Sequence, residues 1–183
     1  RSMIATDKLI ARIEAFGRAR VLVLGDVMLD RYVHGSVERI SPEAPVPVLK
    51  TDHERVVPGG AGNVARNIAA LQGRVILVGL IGADAAGQAL QGALAASGAI
   101  QAELIVDASR PTTEKVRFVH GRHQLFRADT ESVAAAEGDI AAALLAAFRR
   151  HLAEVDVVVL SDYAKGVLSG SLLGEAIAAA RAA

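Results

Sequence analysis

Three short, continuous apolar runs separated by stretches of helical period constrain this chain more than any other feature. They are Val21-Leu22-Val23-Leu24, Val75-Ile76-Leu77-Val78, and Val155 to Leu160, the last interrupted only by Asp156. Runs without a polar face suit strands buried on both sides, as in a parallel sheet covered by helices. Helical patterns lie between and beyond them: Asn63 to Leu71 closed by Gly73, Asp84 to Ser97 closed by Gly98, and Asp139 to Leu152. In the last, Ile140, Leu144, Phe148 and Leu152 recur every four residues as one apolar stripe. A leading helix is expected over about Ile4 to Phe16, capped by Thr6 and stopped at Gly17, and a final one over about Ser171 to Ala183. Strands alternating with helices predict an α/β fold with a Rossmann-like parallel sheet flanked by helices.

Two regions break that rhythm. Residues 30–58 hold Pro42, Pro45 and Pro47 beside alternating Val46 and Val48, which predicts short irregular strands outside the main sheet. Residues 113–128 alternate through Val116 and Phe118, then Leu125 and Phe126, around Gly121, the pattern of a β-hairpin. Together they are expected to form a small β lid.

Composition narrows the function classes. The 183 residues suit a single domain, and 52% hydrophobic residues against 22% charged exclude a disordered chain. Twenty basic and twenty acidic residues cancel, so no general field draws nucleic acid or an anionic membrane, and any anion needs a local site. The absence of cysteine excludes a disulfide scaffold and thiolate metal sites. Apolar stretches such as Val75 to Ala83 fall short of the roughly 17 residues a membrane span needs. The residues after Met3 lack the apolar core of a signal peptide, so a cytoplasmic location is expected.

The strongest local signal is Gly59-Gly60-Ala61-Gly62-Asn63, between a lid strand and a helix. Glycines let backbone approach a ligand closely, and the free N–H groups of a helix start favour oxygens or anions. Asn63 can donate to and accept from a sugar hydroxyl. The second signal is Gly25-Asp26-Val27-Met28-Leu29-Asp30, after the first buried strand, where ligands of open α/β sheets collect. A carboxylate there can accept from two neighbouring hydroxyls; Asp30 is the candidate and Asp26 its competitor. The third segment, Val78 to Gly87, places Asp84 as a helix cap. No Gly-Lys dipeptide supports a Walker loop, and Gly25 does not open a dinucleotide-binding glycine pattern.

These three segments, in this order, resemble the ribokinase-like carbohydrate kinase family. Glu38 to Val48 and Ser161 to Leu168 are most similar to the members that act on heptose 7-phosphates. The resemblance implies ATP- and Mg²⁺-dependent phosphorylation of D-glycero-β-D-manno-heptose 7-phosphate at its anomeric oxygen, and a homodimer built through the β lid. It places Asp30, Gly59, Gly60 and Asn63 on the sugar hydroxyls. Asp162, after the third apolar run, is either a further contact in the same crevice or a turn residue. For the phosphate already on the acceptor, Lys115, Arg117 and Arg127 of the hairpin and Arg39 of the other lid segment are candidates, since guanidinium forks match phosphate oxygens. Alternation sets Lys115 and Arg117 on one face. A solvated strand face is the alternative for each of these cations, and Lys165 is either a further phosphate contact or an ordinary surface charge. His120 and His123 read as lid surface rather than a metal site. The family's Gly-Ala-Gly-Asp segment, which carries the base, and its Asn-x-x-Glu segment, linked to Mg²⁺, do not occur in this sequence. The chain is therefore expected to be the N-terminal, sugar-binding part of such a kinase, without its ATP-binding half and inactive alone. Other acceptors, such as fructose 6-phosphate or a nucleoside, and a non-catalytic sugar-phosphate-binding module are the alternative readings.

Overall fold

The computed structural model describes residues 10, 13 and 15–183, so the helix expected over Ile4 to Phe16 lies almost wholly outside the described residues. The elements run in order as β1 (Arg20–Gly25), β2 (Val27–Ile40), β3 (Pro47–Gly60), α1 (Ala61–Ala70), β4 (Arg74–Ile81) and α2 (Ala85–Ala95). They continue as β5 (Ile100–Val106), β6 (Glu114–His120), β7 (His123–Thr130), α3 (Gly138–His151), β8 (Val157–Ser161) and α4 (Gly170–Ala182).

The three apolar runs pair as expected. One sheet has the order β5-β4-β1-β8, and every pairing in it is parallel. Alternate side chains of β1 and β4 enter two separate cores. Val21, Val23, Val75 and Leu77 pack with Ala61, Ala65, Leu90 and Leu94 of α1 and α2. Leu22, Leu24, Val78 and Leu80 pack with Leu144, Phe148, Leu172 and Ala176 of α3 and α4. A strand covered on both faces needs no polar residue, which is why the runs are continuous. The edge strand β5 escapes the sequence reading because exposed Gln101 and half-buried Glu103 break its apolar pattern.

Glycine does not stop α1 as expected. Gln72 takes the left-handed turn at φ +68°, while Gly73 serves close packing: a Cβ there would sit 2.8 Å from Ile68 Cγ2.

The lid is larger and more regular than expected. In place of short irregular strands over 30–58, β2 and β3 are 14 residues each and form one antiparallel hairpin with two register shifts. Pro42 and Pro45 lie in its connection and Pro47 is the first residue of β3, so none of the three interrupts a ladder. Pro58 lies inside β3, an outer strand of its sheet, where a missing N–H is tolerated. The expected second hairpin is β6–β7, turned at Gly121 with φ +59°, and β6 joins β2 in parallel to give the order β3-β2-β6-β7. Among the described residues no helix is long and apolar enough to cross a membrane.

Candidate acceptor site

The carboxyl ends of β1, β4 and β8 share one edge of the parallel sheet, and the lid rises from that edge because β2 continues β1 after a single residue. That residue is Asp26, which is 1% exposed. Its Oδ2 accepts from the backbone N–H of Tyr163 (2.8 Å) and Lys165 (3.1 Å), and its Oδ1 from that of Val167 (3.0 Å). Its N–H donates to Ser161 O and its carbonyl accepts from Ala61 N–H. All of Asp26 is thereby committed to joining β1, the start of α1 and the loop after β8. Between the two aspartates considered from sequence, Asp26 is the structural one.

Asp30 projects from the lid and is only one-fifth exposed; its Oδ1 accepts from Arg117 Nη1 at 2.6 Å. Beside it, a Cβ on Gly59 would collide with Asp30 Oδ2, so the glycine is what admits the carboxylate. Gly60 has φ +56°, and a Cβ there would strike Asp26 O. Both glycines are buried at the end of β3, and Asn63 is exposed on the first turn of α1.

Register explains how the lid cations assemble. Asp30 pairs with Lys115, which pairs with Asp129; Tyr32 pairs with Arg117, which pairs with Arg127. Side chains two apart along a strand share a face, so these residues form two rows on one side of the lid. The guanidinium carbons of Arg117 and Arg55 stand 5.2 and 5.3 Å from the centre of the Tyr32 ring, within cation–π range. Lys115 Nζ contacts Asp129 (2.8 Å) and Glu131 (3.3 Å), and Arg127 grips Asp129 through two nitrogens at 2.7 and 2.9 Å. The Lys115 ammonium, aided by Arg127, holds the Asp129 carboxyl below the usual range; Lys165, aided by Lys115, does the same for Glu131.

The structure brings Asp30, Gly59, Lys115, Arg117 and Arg127 together but separates Arg39 from them. Arg39 stands exposed nine residues farther along β2, about 30 Å at the usual strand rise. The long strand β2 carries it toward the far rim, so within this chain it is not brought to the hairpin cations. Asp162 is exposed and its Oδ1 accepts from Ala164 N–H at 2.7 Å, a turn bond beside Ala164 at φ +56°. Lys165 is mostly buried, with Nζ 3.0 Å from Glu131. His120 and His123 pair at the outer end of the β6–β7 hairpin. Asp84 caps α2 and also binds Thr112 through the latter's N–H and hydroxyl. Burial raises the Asp84 carboxyl, but the bonds from Thr112 and Gly87 outweigh it and leave it below its ordinary value. Asp129, Glu131, Tyr32 and Arg55 were missed. Continuing the alternation two residues from Asp30 and Arg127 would have flagged Tyr32 and Asp129; no local signal marks Glu131 or Arg55.

The pfkB family carbohydrate kinase model matches residues 18–183. The chain belongs to that family. It is 59% identical over 178 residues to the bifunctional protein HldE of Caulobacter sp. (strain K31), covering 97% of this chain and 36% of the relative. It is 57% identical over 169 residues to the HldE of Caulobacter vibrioides, covering 92% and 34%. The chain thus spans about a third of the length of the curated relatives it matches. Among solved structures it is similar to phosphofructokinase-2 from Escherichia coli in complex with fructose-6-phosphate. That match has TM-score 0.66 at 23% identity, covering 90% of this chain and 52% of that one. It is also similar to a carbohydrate kinase from Agrobacterium tumefaciens, with TM-score 0.56 at 18% identity and 78% and 45% coverage. Those likenesses show the ribokinase-like α/β fold.

A concavity of about 720 Å³ lies at the opposite end of the sheet, between Arg20, Arg74, Ile100 and Glu154. These residues sit at the amino ends of strands, whereas open α/β sheets bind ligands beyond the carboxyl ends. Among the described residues no three His, Cys, Asp or Glu side chains converge.

Proposed function

We propose that this chain is the acceptor-binding part of an ATP-dependent kinase. Its reaction would phosphorylate D-glycero-β-D-manno-heptose 7-phosphate at the anomeric oxygen, giving the 1,7-bisphosphate used for ADP-heptose and the lipopolysaccharide core. The observation that carries this reading is one lid face that combines a hydroxyl acceptor, Asp30, with Lys115, Arg117 and Arg127 for a phosphate. The similarity to bifunctional HldE proteins favours heptose over other acceptors.

In this reading Asp30 and Asn63 bind sugar hydroxyls and Gly59 and Gly60 let the backbone approach the ring. Lys115, Arg117, Arg127 and Lys165 take the 7-phosphate, and Asp162 borders the crevice. Such positioning is the part of phosphoryl transfer that acceptor-binding residues supply. The chain carries no match to the family's base or Mg²⁺-linked segments, so alone it binds the acceptor without turnover. ATP and Mg²⁺ act through residues outside this sequence. The reading also includes a cytoplasmic homodimer through the lid. In support of the dimer, Phe118 and Phe126 stack at 4.4 Å, next in sequence to the cations and so on the opposite lid face, with Phe126 half exposed.

Calorimetric titration with the heptose 7-phosphate and with fructose 6-phosphate tests the acceptor. At least tenfold preference for the heptose phosphate is expected, with no ADP formed on adding ATP and Mg²⁺; equal affinity, or preference for fructose 6-phosphate, overturns the reading.

A further inference from the structure

Two ammonium groups from distant parts of the chain converge on one oxygen. Glu131 Oε2 lies 3.3 Å from Lys115 Nζ, on lid strand β6, and 3.0 Å from Lys165 Nζ, in the loop after β8. The lysine side chains are 15% and 17% exposed, so neither charge is well solvated, whereas Glu131 is 31% exposed. Two such cations repel one another unless an anion lies between them. Glu131 is also the more movable partner. It follows the end of β7, in a segment without regular structure that is next fastened where Arg110 donates to the carbonyls of Ala134 (2.8 Å) and Ala135 (3.2 Å). Residues 131–133 can therefore shift while the lysines, held by a strand and by the Asp26-anchored loop, stay in place.

We infer that Glu131 is an internal stand-in for the acceptor's phosphate, occupying the place between Lys115 and Lys165 until the phosphate displaces it. The inference rests on the proposed acceptor reading for its ligand and extends it to selectivity. A phosphate dianion offers three oxygens and more charge than one carboxylate oxygen, so it can replace Glu131 and keep lid and loop tied together. An unphosphorylated sugar cannot, because displacing Glu131 would leave the mostly buried Lys165 without a counter-ion and Lys115 with Asp129 alone. Glu131 thereby sets a threshold that only phosphorylated acceptors cross.

Inorganic phosphate is the probe, titrated calorimetrically at fixed ionic strength into the wild-type chain, Glu131→Gln, and the double variant Lys115→Met with Lys165→Met. Cooperative unfolding of each confirms the fold. About fivefold tighter binding is expected in Glu131→Gln, the scale of a part-exposed ion pair, and no saturable binding in the double variant. Binding in Glu131→Gln where the wild type shows none also supports the inference. Unchanged or weaker binding in Glu131→Gln, binding by neither protein, or binding that survives loss of both lysines overturns it. If Glu131→Gln does not fold, Glu131→Asp replaces it; its shorter carboxylate cannot reach both lysines, and a smaller gain in affinity is expected. Because the probe carries no sugar, failure here removes the role of Glu131 without touching the identity of the acceptor, which the heptose and fructose phosphate titrations decide.

Discussion

Leu22, Leu24, Leu77 and Phe148 of the parallel sheet and its helices are fully buried, whereas every residue of β7 in the lid is exposed. The first region is held by apolar side chains entering two cores; the second by strand pairing, ion pairs and a few aromatic contacts. The lid strand β7 buries little apolar surface compared with the two cores of the sheet, so the lid is the weaker region. Ligand-binding elements are commonly drawn from the less stable part of a structure. The charges of that weaker region are the ones proposed to meet a sugar phosphate.

The largest effect is expected from Phe148→Ala, which empties the core between β1, β4, α3 and α4 and lowers unfolding free energy by about 4 kcal/mol. Phe126→Ala, the same change on the half-exposed lid face, is expected to cost under about 1 kcal/mol. Denaturant unfolding of the pair checks this, and equal losses would break the distinction between the two regions. Asp26→Ala, which strips three backbone N–H groups of their acceptor, is expected to cost about 3 kcal/mol. Its boundary position makes it a sharper test, because a loss under about 1 kcal/mol would mean that the loop after β8 holds without it.

A smaller effect concerns acid. The Asp84 carboxyl lies below its ordinary value in the folded state, so its stabilising contribution is complete above the unfolded value near pH 4. That contribution is lost as pH falls through the folded value. Asp84→Asn is expected to be about 1 kcal/mol less stable than wild type at pH 7, with the gap closing below about pH 4. A gap that stays constant with pH would assign the effect to shape rather than charge. Smallest in energy but clearest spatially, amide hydrogen exchange should be slowest in β1 and β4 and fastest in β7.

The fold class was legible because β1, β4 and β8 are covered on both faces and leave unbroken apolar runs. β5 was not, since Gln101 and Glu103 break its apolar pattern, whereas β8, the other edge strand, keeps an apolar run. The lid was legible as a region but not as two long strands, because Pro42, Pro45 and Pro47 mark a connection and a strand start that sequence alone does not separate from strand interruptions. Within the site, the Gly59-Gly60 turn and the shared face of Lys115 and Arg117 were readable from local spacing. The division of labour between Asp26 and Asp30 was not, because it depends on backbone groups 137 to 141 residues from Asp26 and on an arginine 87 residues from Asp30. Glu131 was invisible for the same reason: its two lysine partners meet only once lid and loop are folded against each other.

The acceptor is proposed to bind where Asp30 meets the lid cations, and calorimetric titration of D-glycero-β-D-manno-heptose 7-phosphate into wild type and Asp30→Ala tests this most directly. Saturable binding by the wild type, weakened at least tenfold in an equally well-folded Asp30→Ala, is the expected result. A folded wild-type chain that does not bind, or an Asp30→Ala variant that binds as tightly, would contradict it.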